Sequence, residues 1–135
     1  MSSPGLPRVV FVCLGNACRS QMAEGFARTY GKDVMAVQSA GLAPAMAVPL
    51  ETVETMSEKN IDIAGQFPKA LSTLPASSFD LLINMSGYEI TNFPVMRTWK
   101  VHDPIGAGRA TYRAVRDQIE LLVMQLIVEL RRKQK

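Results

Sequence analysis

The residues with chemistry in them fall between Val10 and Ser20, in the string V-F-V-C-L-G-N-A-C-R-S. Cys13 and Arg19 stand with five residues between them. If that segment curls, the backbone N–H groups of Leu14, Gly15, Asn16, Ala17 and Cys18 turn inward. A helix opened at Ser20 then aims its N-terminus at the same point, and backbone dipoles alone make an anion site. Gly15 lets the chain curl, and Asn16 tolerates a positive φ. Arg19 closes the ring with a guanidinium whose fork matches two oxygens of a tetrahedral oxyanion. Cys13 lies beneath, where the N–H groups and Arg19 favour thiolate over thiol. A thiolate under a bound phosphate is placed for in-line attack on phosphorus. Ser20 is placed to hydrogen-bond that thiolate and make it a better leaving group.

A phosphate ester also needs its leaving oxygen protonated. Asp103, in His102-Asp103-Pro104, follows an extended stretch and so belongs to the ligand-binding edge, and Pro104 stiffens its loop. As an acid Asp103 serves the leaving group; as a base it activates water against a cysteinyl-phosphate.

Other readings of these residues stay open. A cysteine ending a buried strand is also an ordinary core residue. The loop could hold phosphate or sulfate without chemistry, as a non-catalytic oxyanion-binding module, although pure binding needs no Asp103. Cys18 is either a thiol packed behind the loop or a reversible disulfide partner that shields Cys13 from over-oxidation.

The elements that must position these groups follow from patterning. Arg8 to Cys13 is a short apolar, β-branched run that reads as a buried parallel strand. A helix is expected from Ser20, as its cap, to Tyr30, with Glu24 in an acidic first turn, Met22, Phe26 and Tyr30 on one apolar face, and Gly31 as C-cap. Val34–Ala40 is a second strand, and 41–49 a loop rich in Ala, Gly and Pro. Leu50–Lys59 reads as a helix with Leu50, Val53 and Met56 inward, and Ala70–Leu74 as a short helix. Strands are expected at Phe79–Met85 and Arg97–Val101, with Trp99 as a core anchor. Ala110 to about Arg132 is the strongest helix, with Val115, Ile119, Leu122, Leu126 and Leu130 forming a stripe that Val123 and Ile127 widen. Strands alternating with amphipathic helices imply an α/β fold, a parallel sheet covered on both faces, with ligands beyond the carboxyl ends of the strands. The string around Cys13 begins at the end of the first strand.

Composition narrows the class. The chain has 135 residues, 47% of them apolar and 20% charged, with a net charge of +3, which suits one globular domain. Residues 1–7 read as a flexible arm without the apolar core of a signal peptide, and 8–135 as a single domain. No apolar run is long enough to span a bilayer, so a cytoplasmic location and no membrane partner are expected. The basic tail Arg131-Arg132-Lys133-Gln134-Lys135 is a solvated helix end, and no aromatic stacking surface accompanies it, so no nucleic-acid partner is expected. Arg109 and Arg113 are read as solvent-exposed, and Tyr88 as a candidate for the site mouth. Two cysteines and one histidine supply neither a disulfide framework nor a zinc ligand set, so no metal or cofactor is expected.

C-L-G-N-A-C-R-S resembles the active-site loop of the low-molecular-weight protein tyrosine phosphatases and of the arsenate reductases that share their fold. Q-M-A-E-G-F after the loop and Y-R-A-V-R-D-Q-I-E in the last helix are similar to the reductase branch. V-Q-S-A-G and N-I-D-I are similar to both branches, and H-D-P matches the acid loop. The resemblance implies a four-stranded parallel sheet with helices on both faces. It implies Cys13 as nucleophile, Arg19 as oxyanion clamp, Asp103 as general acid and Ser20 as the thiolate contact. It also gives Asn16 and Ser39 supporting roles, holding the loop in shape through hydrogen bonds, beside Pro104 in the Asp103 turn.

Three departures bear on the subgroup. Ile105 and Gly106 follow Asp103-Pro104 where phosphotyrosine phosphatases often carry two tyrosines. Asn84 to Tyr88, N-M-S-G-Y, lacks the cysteine that thioredoxin-coupled reductases carry after the third strand, and no cysteine follows Cys18. Lys69 stands about where some reductases place an acidic potassium ligand. The expected activity is therefore phosphomonoester hydrolysis through a cysteinyl-phosphate on Cys13. The alternative is arsenate reduction on the same cysteine, completed by Cys18, a small thiol or glutaredoxin. The expected partners are a phosphate-, sulfate- or arsenate-like oxyanion, with a phosphotyrosine protein under the first reading and a thiol reductant under the second.

Overall fold

A computed structural model describes residues 5–134. The arm expected over 1–7 lies partly outside the described residues. Pro7 is already tied down, its carbonyl accepting the Ala36 N–H at 2.9 Å.

Four parallel strands, β1 (Arg8–Cys13), β2 (Ala36–Gly41), β3 (Leu81–Asn84) and β4 (Met96–Thr98), form one sheet in the order β2-β1-β3-β4. Helices α1 (Arg19–Tyr30), α2 (Leu50–Ser57) and α3 (Arg109–Lys133) complete the fold, with 3-10 turns at Leu71–Thr73 and Ala76–Ser78. The expected α/β architecture is the one observed. β1 is central because Val9 to Val12 are fully buried, which only an inner strand covered on both faces allows. Its residues divide by alternation. Val9, Phe11 and Cys13 enter the larger core with α1 and α3, while Val10 and Val12 enter a smaller one with Leu71, Phe79, Leu82 and Ile90. The chain leaves β1 for β2 on one side and reaches β3 on the other, so the carboxyl end of β1 is the point at which the sheet order diverges. Cys13 pairs with Gly41 there, and Val12 with Asn84. A ligand crevice belongs at such a point.

Several boundaries differ from the sequence expectation. Ser20 does not cap α1; Cys18 holds that position without a side-chain cap bond, and Ser20 lies inside the helix with its hydroxyl turned to the loop. Glu24 is not in an acidic first turn but buried. Gly31 does end α1, at φ −133° rather than in the left-handed region; a Cβ there would come within 2.7 Å of Ile127 on α3. Leu50 is 66% exposed, and α2 turns Thr52, Thr55 and Met56 inward instead. The short helix expected over Ala70–Leu74 is a 3-10 turn at Leu71–Thr73, and β4 ends before Trp99. The α3 stripe is inward as expected, with Val115, Ile119, Val123, Leu126, Ile127 and Leu130 buried and Leu122 half-buried. Arg109 and Arg113 are exposed as expected, and they pair with Glu54 of α2 and with Glu58 at its C-terminal end at 2.8 Å each.

Candidate active site

The loop from Cys13 to Arg19 is wrapped by the segment that follows β2. Leu42, Ala43 and Ala45 donate their N–H groups to the carbonyls of Cys13, Leu14 and Gly15 at 3.2, 2.8 and 2.8 Å. Three of the loop's carbonyls are thereby tied to the segment after β2. Asn16 adopts φ 50°, the left-handed turn that its residue type tolerates. Gly41 is the hinge of this wrapping, since a Cβ there would lie 2.8 Å from both Asn16 N and Leu14 O.

Cys13, Leu14, Gly15, Ala17, Cys18, Arg19 and Asp103 line one cleft of about 320 Å³ whose rim is Ala43, Ala45, Pro49 and Ile105. Every residue expected to touch an oxyanion lines it except Asn16 and Ser20, which are wholly buried behind the loop.

Behind the loop, Asn16 organises a relay. Its Nδ2 donates to Ser20 Oγ at 2.8 Å and to Ser39 Oγ at 2.9 Å, so each hydroxyl must send its own hydrogen elsewhere. Ser39 sends it to Glu24 Oε1 at 2.5 Å. Ser20 lies 2.9 Å from Cys13 Sγ, the acceptor its hydrogen has within reach. The other polar atoms of Asn16 are also engaged. Its Oδ1 accepts the Lys69 N–H at 2.9 Å and its carbonyl accepts Gln21 Nε2 at 2.8 Å.

Lys69, Gln21, Gln66 and Glu24 are the supporting residues that sequence reasoning missed. Lys69 Nζ donates to the Ser39 carbonyl at 3.0 Å and sits over the Phe67 ring. Burial lowers its pKa, and the nearby Glu24 carboxylate pulls the other way. Gln66 Nε2 holds Gln21 Oε1 at 2.7 Å. Nothing local marked Gln21 or Gln66, whose roles come from tertiary contacts.

Arg19 is nearly buried, with Nη1 donating to the carbonyls of Met85 at 2.6 Å and Val101 at 3.2 Å. These two bonds fix the guanidinium at the ends of β3 and of the stretch after β4. Its Nη2 lies 3.6 Å from Asp103 Oδ2. Asp103 remains 44% exposed and accepts the Ile105 N–H at 3.1 Å, so its carboxyl is oriented by its own turn and open to the cleft. Pro104 is buried behind it. Burial pushes the Cys18 thiol up to about 12. Cys18 Sγ packs 4.0 Å from Met22 Sδ, and at neutral pH it is a protonated, poor nucleophile. Tyr88 does not reach this cleft; it lines a neighbouring one, as does the half-buried Trp99, whose ring packs 5.7 Å from Phe11.

Comparison with known proteins places the chain in a family. The family model described as "Low molecular weight phosphotyrosine protein phosphatase" matches residues 8–135. A glutaredoxin arsenate reductase of Synechocystis sp. is 35% identical over 131 residues, covering 93% of this chain and 99% of that protein. Among solved structures, an arsenate reductase in the phosphate binding state superposes with a TM-score of 0.85 at 35% identity, over 93% of this chain and 99% of that one. An arginine phosphatase from Geobacillus stearothermophilus does so with a TM-score of 0.86 at 26% identity, over 95% of each chain. The chain therefore belongs to the low molecular weight phosphotyrosine protein phosphatase family, enzymes whose relatives here are named both as arsenate reductases and as phosphatases.

Proposed function

We propose that the protein hydrolyses phosphate monoesters through a cysteinyl-phosphate. The observation that carries this reading is the pair of contacts on either side of the loop: Ser20 Oγ on Cys13 Sγ beneath it and Asp103 beside Arg19 above it. The loop N–H groups and Arg19 take the three non-bridging oxygens, which places phosphorus over Cys13. The thiolate attacks in line, the bond from phosphorus to the ester oxygen breaks, and protonated Asp103 gives its proton to that oxygen. The alcohol or phenol leaves. Asp103, now a carboxylate, takes a proton from water as the water oxygen attacks phosphorus. The S–P bond breaks, inorganic phosphate is released, and Ser20 stabilises the returning thiolate.

Hydrolysis of para-nitrophenyl phosphate by the wild type, with none by Cys13→Ser, is the expected result. Undiminished turnover by Cys13→Ser, or none by the wild type, overturns it.

The second reading is arsenate reduction, favoured by the names of the relatives. Reduction of arsenate to arsenite takes two electrons, supplied as two thiols become a disulfide. Cys13 would form the arsenic adduct, and the second thiol would come from Cys18, a small thiol or a glutaredoxin. The packing of Cys18 disfavours it as that thiol, and positions 84–88 carry none. Parallel assay of aryl phosphate and arsenate on one preparation, with and without glutathione and glutaredoxin, separates the two activities.

A further inference from the structure

The catalytic cleft is too small and too apolar to read anything beyond the phosphorylated group itself. A second cleft, about 680 Å³, lies on the other side of Arg19, between the loop after β3 and the stretch after β4. The two clefts share Arg19 as a wall. They also share a strap, since His102 lines the second and its neighbour Asp103 lines the first. The two clefts therefore lie side by side, with Arg19 and the His102-Asp103 pair between them.

The lining gives the chemistry of what would lie there. Tyr88 is 59% exposed and Trp99 offers a half-buried indole, so one end is aromatic. Lys100 and His102 are exposed, and among the described residues neither has an ion-pair partner. Glu89 is the one acidic side chain in the lining. Most arginines of α3 are spent on Glu54, Glu58, Asp117 and Asp33, which leaves Lys100 as an uncommitted cation beside the entrance. Aromatic surface beside an unpaired cation recognises an apolar side chain followed by a carboxylate.

We propose that this cleft is a docking site for the flank of a phosphoprotein substrate, an extended segment carrying an apolar and an acidic residue next to the phosphorylated one. The proposal rests on the phosphomonoesterase reading and names the class of substrate for it.

The test uses two phosphotyrosine peptides that differ only in flanking residues, Leu-Asp-Asp or Leu-Lys-Lys, with para-nitrophenyl phosphate as the substrate without a flank. The wild type is expected to favour the acidic peptide in kcat/KM by about fivefold at low salt, the size of one or two exposed charge pairs. Lys100→Glu should abolish or invert that preference, and Tyr88→Ala should lower kcat/KM for both peptides. Both variants should keep para-nitrophenyl phosphate turnover within twofold. Equal treatment of the two peptides by the wild type overturns the proposal, as does an equal loss on peptides and para-nitrophenyl phosphate in both variants.

Trp99, the sole tryptophan, supplies a readout that needs no turnover. In Cys13→Ser its fluorescence should titrate with the acidic peptide at lower concentration than with the basic one. A wild type inactive on every phosphate, with that titration intact, removes the hydrolytic reading but not the cleft. Saturation by reduced glutathione instead of peptide overturns the docking proposal and assigns the cleft to the thiol of the second reading.

Discussion

Gly41→Ala is the sharpest perturbation of the loop between Cys13 and Arg19, although residue 41 carries no chemistry. A Cβ at 41 meets Asn16 N and Leu14 O at 2.8 Å and Asn16 Cβ at 3.0 Å, where ordinary contact begins at 3.4 Å. The shortfall is about 0.6 Å against backbone atoms. Those atoms have little freedom to retreat. Asn16 is held by Lys69, Gln21, Ser20 and Ser39, and Leu14 by Ala43. Overpacking of this kind costs about 1–3 kcal/mol of stability. The larger effect falls on chemistry, because a displacement approaching 1 Å in a positioning element costs on the order of 100-fold in rate. We expect kcat/KM for para-nitrophenyl phosphate to fall by about 30- to 100-fold, scaled down from that figure. The variant should stay folded by circular dichroism, with a Tm lowered by roughly 5–10 °C. Gly65→Ala, where nothing lies within 4 Å, is the control and should be active. A Gly41→Ala enzyme within twofold of wild type would refute the claim that residues 41–45 hold the loop in shape.

Ser20→Ala removes the donor to Cys13 and frees one Asn16 contact; a hydrogen bond to a charged group is worth about 1.5–3 kcal/mol, so kcat should drop roughly 10- to 100-fold with little change in KM, read by burst kinetics. Asp103→Asn should lower kcat by about 100-fold or more for alkyl phosphates and far less for para-nitrophenyl phosphate, whose leaving group needs no proton; a loss independent of leaving-group pKa would exclude Asp103 as the acid. Hydrogen bonds from Arg113 and then Arg116 hold the Glu58 carboxyl down to about 2, and Arg97 and Lys133 do the same for Glu129. Both pKa values lie below the unfolded value of 4.5, so these groups contribute stability above pH 4.5 that is lost as pH falls toward 2. Acid unfolding followed by far-ultraviolet circular dichroism should begin in that window, and Glu58→Gln with Glu129→Gln should flatten it. At pH 7, iodoacetamide should label Cys13 and spare Cys18 by mass spectrometry, since burial holds the Cys18 thiol at about 12.

The sequence by itself determined the alternation of strands and helices and the loop at the first strand's end. The apolar period is local, and Gly15, Asn16 and Arg19 each carry their constraint in their own residue type. Asp103 was legible as well, because Asp-Pro after an extended stretch belongs to the ligand-binding edge of a parallel sheet. Tertiary structure decided what lay across sequence distance. Lys69 reaches Asn16 and Ser39 only because the Ile61–Lys69 stretch passes beside β2, and no spacing rule encodes a contact over 53 residues. Ser20 looked like a helix cap by type, but the pull of Cys13 and Asn16 drew its hydroxyl into the loop. Leu50 fitted an inward stripe on α2, yet it is 66% exposed and Thr52, Thr55 and Met56 face inward, because the helix rotation is settled by what packs beneath it and not by its own period. Gly41 was a loop residue by composition; it became a constraint once β2 was paired against β1, which brought its missing Cβ against the backbone of the oxyanion loop.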